Sequence, residues 1–415
     1  MQLLIKNIRE LVTVDSGGRP FKVGKEMRDL GTIKDGCIFV EDGIIQWVGS
    51  TEAFGLSLNR DADVIDASSL VALPGFVDSH THALFAGSRE REFAMRAVGK
   101  TYQEIAAEGG GIARTVAATR AASKKELKKL TSKRLDAMMQ HGTTTVEIKS
   151  GYGLDPDSEV KMLEAIRELA DEHFMTIVPT FLGAHAVPAE YAQKKDAYVE
   201  LVCEHMLPYV ARKNLARFCD VFCERGYFTV EESRRILERA KSLGLQLKVH
   251  ADEFTAIGGT QLAAELGALS VDHLEHVQAE GVKALKGRET VAVVLPGVSF
   301  FLRHPYAPAR ALIDAEIPVA LASDFNPGSC MSFSIPLMMT IACTQMSVTP
   351  EEGICAATLN AAAAVGLSSI LGSIEVGKQA DIILYDIPSY DYLAYHFGTN
   401  LVATVIKKGT VLEFS

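Results

Sequence analysis

Residues 70–82 read LVALPGFVDSHTH: an apolar run of strand length, interrupted at Pro74-Gly75, that ends in polar residues with His80 and His82 two apart. Residues two apart on a strand point to the same side, so the two imidazoles project together. Seven further segments have this build. They are TTTVEIKSGYG (143–153), FMTIVPTFLGAH (174–185), ARFCDVFCE (216–224), LQLKVHADEF (245–254), LSVDHLEH (269–276), TVAVVLPGVSF (290–300) and IPVALASDFNPG (317–328). Several stretches between them, such as EESRRILERAKSLG (231–244), GGTQLAAELGA (258–268) and APARALIDAEI (307–317), carry apolar residues at helical spacing. Eight buried-type strands alternating with amphipathic helices predict an α/β protein whose parallel sheet closes as a (β/α)8 TIM barrel. An open doubly wound sheet competes, but no GxGxxG follows the first strand.

Outside this middle the texture changes. GCIFVEDGIIQWVG (36–49) places Asp42-Gly43 between two apolar runs, as a hairpin requires. GSIEVGKQADIILYDIP (372–388) and LVATVIKKGTVLEF (401–414) again alternate β-branched residues with Gly and Asp. The organisation predicted is a small β-sandwich domain built from residues 1–70 and 369–415, flanking a barrel over 71–368.

With 52 acidic against 42 basic residues, the formal net charge is −10, which speaks against a nucleic-acid surface. The basic run at Lys124, Lys125, Lys128 and Lys129 is interleaved with Leu127 and Leu130 and reads as the solvated face of a helix. Lys6, Arg9 and Glu10 interrupt the first residues, so neither a secretory signal nor a membrane contact is expected. Seven scattered cysteines without a CxxC pair suit a reducing, cytoplasmic compartment.

Metal-capable residues gather at the predicted C-terminal strand ends, the face on which barrels build active sites. His80 and His82 end the first strand, His250 the fifth and Asp324 the eighth. Three imidazole nitrogens and one carboxylate can hold a single divalent ion and leave a position for water, the open set of a catalytic site. Such an ion makes bound water acidic and polarises a carbonyl.

PGFVDSHTH, VHADE and SDFNPG, in that order, resemble the motifs of the amidohydrolase superfamily, which combines a metal-bearing barrel with a β-sandwich from both termini. More narrowly, FAGSREREFAMR (85–96), GGGIARTVAATR (109–120), TTTVEIKSGYGLD (143–155), TFLGAHAVP (180–188), LPGVSFFLR (295–303) and SDFNPGS (323–329) resemble the imidazolonepropionases, with Ser79 and Cys330-Met331 as small departures. That resemblance implies hydrolysis of the cyclic amide of 4-imidazolone-5-propanoate to N-formimidoyl-L-glutamate in histidine degradation, and a homodimer. Glu253 and His273 are placed for proton transfer, Asp324 can accept a proton from water, and His185 is a candidate donor to the oxyanion. Which of Glu253, His273 and Asp324 acts first stays open, as does zinc against iron. A propionate on an acidic protein needs a local cation, and Arg89, just beyond the metal motif, can pair with it bidentately, with Tyr102 and Tyr152 as hydroxyl donors. By resemblance, Tyr152, His185, Asn326, Gly328 and Ser329 line the same pocket.

Two other functions compete. A mononuclear deaminase of a heterocyclic base would use the same metal but have no need of Arg89, and a non-catalytic relative would not retain every ligand. Lys149 raises a two-metal alternative through a carboxylated lysine, but such a lysine belongs on the fourth strand, which here ends in Cys223 and Glu224. One metal is therefore expected. No GK[ST] follows Gly109–Gly111, so that run reads as a loop beside the site rather than a phosphate loop.

Overall fold

A computed structural model describes residues 1–56, 58, 62–100, 104 and 109–413. Eight parallel strands lie side by side in chain order: β1 (Phe76–Asp78), β2 (Thr143–Lys149), β3 (Thr176–Ala184), β4 (Phe218–Cys223), β5 (Gln246–Ala251), β6 (Ser270–His273), β7 (Val291–Val294) and β8 (Val319–Leu321). The circle closes just past the ends of β1 and β8. Thr81 and Phe325 form a parallel bridge, Asp324 N donates to His80 O and His82 N to Phe325 O, each at 3.0 Å. Asp78 on β1 accepts from the backbone N–H and hydroxyl of Ser323 beyond β8, tying the same seam from inside. Strands buried on both faces favour apolar runs, and β7 (VAVV) and β8 (VAL) show it most plainly.

The first predicted strand is two strands. Val71–Pro74 pairs with Gln2–Leu11 and Ile382–Tyr385 in the terminal sheet, and only after Gly75 does the chain enter the barrel. Pro74, which lacks an N–H, and Gly75 mark the transfer. Hydrogen bonds join the terminal strands into one mixed eight-stranded sheet that also takes in Ile33–Glu41, Ile44–Ser50, Asp63–Asp66, Val402–Lys407 and Thr410–Leu412. Alternation sorts its side chains: Ala72, Ile382 and Leu384 enter the sheet's own core, while Val71, Leu73, Ile383 and Tyr385 join the barrel core. The predicted hairpin turns at Asp42 and Gly43, both with positive φ (49° and 80°), the conformation that matches strand twist.

Helices follow their caps. The segment predicted over 231–244 is helical over Val230–Ser242 and opens with a reciprocal capping box between Thr229 and Glu232. The lysine-rich face lies on helix Lys124–Gln140, with Leu127 buried and Lys124 and Lys128 paired to Glu168 of the next helix. Among the described residues, no helix is long and apolar enough to cross a membrane.

Candidate metal centre

The four expected ligands converge at the barrel mouth, all buried. Donor atoms of His80, His82 and Asp324 lie within 4.8 Å of one another, and so do those of His80, His250 and His273. Ring centroids of His80 and His250 are 4.5 Å apart, and those of His82 and His250 5.5 Å.

Two carboxylates aim these rings. His80 Nδ1 donates to Asp272 on β6 at 2.7 Å, and His250 Nδ1 stands 2.9 Å from Asp220 on β4. A proton held on Nδ1 leaves the Nε2 lone pair free for a ligand, the carboxylate–histidine arrangement of metal sites. His80 Nε2, His250 Nε2 and Asp324 Oδ1 are buried with no hydrogen-bond partner. Buried polar atoms are otherwise almost always paired, so this orphaned set fits a divalent cation.

Electrostatics separates ligands from proton carriers. Burial, reinforced by Lys149 and neighbouring imidazoles, holds His80 and His82 far below the ordinary histidine range, and burial also lowers His250. These rings are neutral and free to ligate. Burial also acts against a charge on His273, but Glu253 and Glu275, each 3.6 Å from a ring nitrogen, prevail and lift it to about 10. Its acidic neighbours set His273 apart from the other three imidazoles, although its donor atom is within reach of theirs. Burial raises Glu253 to about 8 and Asp324 to about 7.

The backbone bears the cost of this convergence. His273 (φ 85°), Leu274 (71°), Asp252 (56°) and Asp324 (48°), at or just beyond the ends of three barrel strands, all occupy the left-handed region that non-glycine residues avoid.

The remaining expected residues divide. Tyr152 is buried beside His82, with ring centroids 5.8 Å apart, and burial pushes its hydroxyl far up, so it stays a donor. Gly151 before it has φ 101°, and a Cβ there would press on His185. His185 stacks on His82 with centroids 4.9 Å apart. Its Nδ1 donates to Gly151 O at 3.0 Å, and burial drives its pKa to about 3. The neutral ring therefore has Nε2 as an acceptor.

Asn326 is held within its own turn. Its amide donates to Asp324 O and Ser329 Oγ and accepts from Gly328 N and Ser329 N, each within 2.8 Å, which exhausts its capacity. It shapes the turn after Asp324. Arg89 stands against that turn, its Nη1 filling the space a Cβ at Gly328 would need. Its Nε/Nη2 edge is already taken by Glu92, so bidentate pairing is left to the other edge. Tyr102 lies outside the described residues. Lys149 is closed to carboxylation: its ammonium meets Asp220 at 2.8 Å and Glu147 at 2.9 Å, and although burial opposes the charge these carboxylates hold it far up.

Sequence reading missed Asp220, Asp272, Glu275 and Glu92. The first two are ionisable residues inside otherwise apolar strands, a placement that demands a partner.

The model of the Amidohydrolase family matches residues 71–412. An imidazolonepropionase from Symbiobacterium thermophilum is 50% identical over 99% of this chain and 97% of its own length. The chain belongs to the amidohydrolase family, among the imidazolonepropionases. Another of them, from Alkaliphilus oremlandii, is 48% identical over 98% of this chain and 97% of its own. The family fold extends further: a solved adenosine deaminase from Xanthomonas campestris with bound zinc superposes at a TM-score of 0.73 with 18% identity, covering 99% of this chain and 92% of that one.

Proposed function

We propose that this chain hydrolyses the ring amide of 4-imidazolone-5-propanoate to N-formimidoyl-L-glutamate, a step of histidine degradation. The carrying observation is near-half identity, over almost the full length, to relatives named for that activity. His80, His82, His250 and Asp324 would hold one divalent ion, and imidazole and carboxylate donors suit zinc and iron alike. When bound, that ion supplies an acidified water and a Lewis acid for the carbonyl.

The chain's own groups supply the rest. Water adds to the ring carbonyl carbon, the C–N bond breaks, and the departing nitrogen takes up a proton. Glu253, held at about 8 by burial in the metal-free chain, would act in its ionised form once a nearby cation lowers it, receiving a proton from water on its carboxylate and returning it to that nitrogen. His273, cationic and 3.6 Å from Glu253 Oε2, fixes that carboxylate and offsets charge developing beside it. Asp324, through the carboxylate oxygen that does not face the ion, is the second acceptor for the water proton. The Nε2 of His185 accepts from a ring N–H, Tyr152 donates, and Arg89, at the Gly328–Ser329 turn, meets the propionate. A heterocyclic base without a carboxylate would leave Arg89 unused. The reading includes a cytoplasmic homodimer that touches neither nucleic acid nor membrane, and seven free thiols, six of them buried, suit a reducing compartment.

The test is ring opening of substrate generated in place from urocanate, using native, chelator-stripped and metal-restored protein. Formimidoyl-glutamate should appear, vanish on stripping and return with metal. A metal-replete sample that releases no product above the uncatalysed control would sink the assignment.

A further inference from the structure

Arg89 and Glu92 lie at the start of helix Glu90–Ala97, with side chains only 10% and 3% exposed. Arg89 Nε donates to Glu92 Oε2 at 2.8 Å, and Nη2 approaches the same oxygen at 2.8 Å. The other oxygen, Oε1, accepts the backbone N–H of Gly111 at 3.1 Å. Both oxygens of this buried carboxylate are therefore committed.

A guanidinium has two paired-donor edges, Nε with Nη2 and Nη1 with Nη2. Glu92 covers the first, which leaves the second turned toward Gly328 and the turn that follows Asp324. The corner is not neutralised by this pair. Arg96 Nη1 donates to Gly328 O at 3.3 Å, and burial and the charge of Arg89 both press its guanidinium downward. Among the described residues, the guanidiniums of Arg89 and Arg96 both reach Gly328.

We propose that Glu92 is the positioning residue for carboxylate recognition: by occupying the side edge of Arg89 and anchoring to Gly111, it presents the end edge to the substrate's propionate. This rests on the reading of Arg89 as the propionate cation. A helix-start residue with a purely structural role would affect all ligands alike. A positioning residue affects only those that carry a carboxylate.

The experiment measures calorimetric affinities of metal-replete protein for imidazole-4-propionate and 4-ethylimidazole, which share the ring and differ in the anion. Wild type should prefer the propionate by about tenfold or more, as for an oriented charged hydrogen bond. Glu92→Gln should erase about tenfold of that preference and leave 4-ethylimidazole binding unchanged. Glu92→Asp, which keeps the charge but is one methylene short, should lose preference in the same sense and serves if the Gln variant does not fold. Retained preference in the folded variants, or equal loss for both ligands, overturns the inference while Arg89 keeps its role. A wild type with no preference overturns the Arg89 reading and the inference together.

Discussion

Two polar layers lie inside the barrel, and their charges are balanced differently. In the deeper one, Lys149 meets Glu147 and Asp220, and Lys248 meets Glu147 at 2.9 Å and Ser79 O at 2.9 Å, all with fully buried side chains. Each ammonium there has its carboxylate. In the layer at the mouth, His80 Nε2, His250 Nε2, Asp324 Oδ1 and both oxygens of Glu275 are buried without a hydrogen-bond partner. The deeper layer is complete as the chain folds, whereas the upper layer is complete only when a cation arrives. Asp220 and Asp272 touch both: Lys149 holds them from below, and they aim His250 and His80 above.

The sharpest way to break this contrast is to damage each layer separately. Glu253→Gln, in the upper layer, should lower kcat by about 10²- to 10⁴-fold, as for a lost proton carrier, while the thermal melt of metal-loaded protein stays in place. A melt that collapses with activity would refute the division. Lys149→Met, in the deeper layer, should instead destabilise the fold by about 3–5 kcal/mol, because carboxylates are left buried without their cation. Denaturant titration with and without metal reads it, and a loss seen only in one state would merge the layers. Asp272→Asn keeps the shape of the link to His80 but weakens its basicity, so metal affinity in a chelator competition should fall about 10- to 100-fold. Unchanged affinity would show that Asp272 serves the deeper layer alone.

The smallest effect is a slope. In chelator-treated protein, burial lifts Glu253 from 4.5 to about 8. Between those values the folded chain keeps a proton that the unfolded chain releases, so stability contributed at low pH is lost as pH rises through that window. Melting at a series of pH values from about 7 to 8.5, above the range in which the lowered His80, His82, His185 and His250 contribute with the opposite sign, should show metal-free stability falling, with metal flattening the decline. A rising metal-free curve would contradict the burial argument.

The barrel and the convergence of His80, His82, His250 and Asp324 were legible because their signals are local: apolar runs of strand length, and histidines at strand ends where side-chain parity is fixed. The orienting layer was not. Asp220 and Asp272 meet their histidines across neighbouring strands, a relation with no fixed spacing in sequence, and Asp272 sits beside His273, which drew attention to itself. Donor direction is likewise invisible before coordinates exist. Which atoms Arg89, His185 and Asn326 have left to offer depends on Glu92, Gly151 and the 326–329 turn.

The seam between β1 and β8 has a consequence for how this protein comes into being. Asp78 and Ser323, which clasp it, are 245 residues apart in the chain, and the metal-capable side chains of His80, His82 and Asp324 hang from its two lips. A ribosome releases the histidines long before the aspartate, so a half-made barrel has imidazoles but no finished cradle. The full four-residue cradle exists only once the last strand is laid, and a nascent chain that stops short of residue 324 lacks its carboxylate.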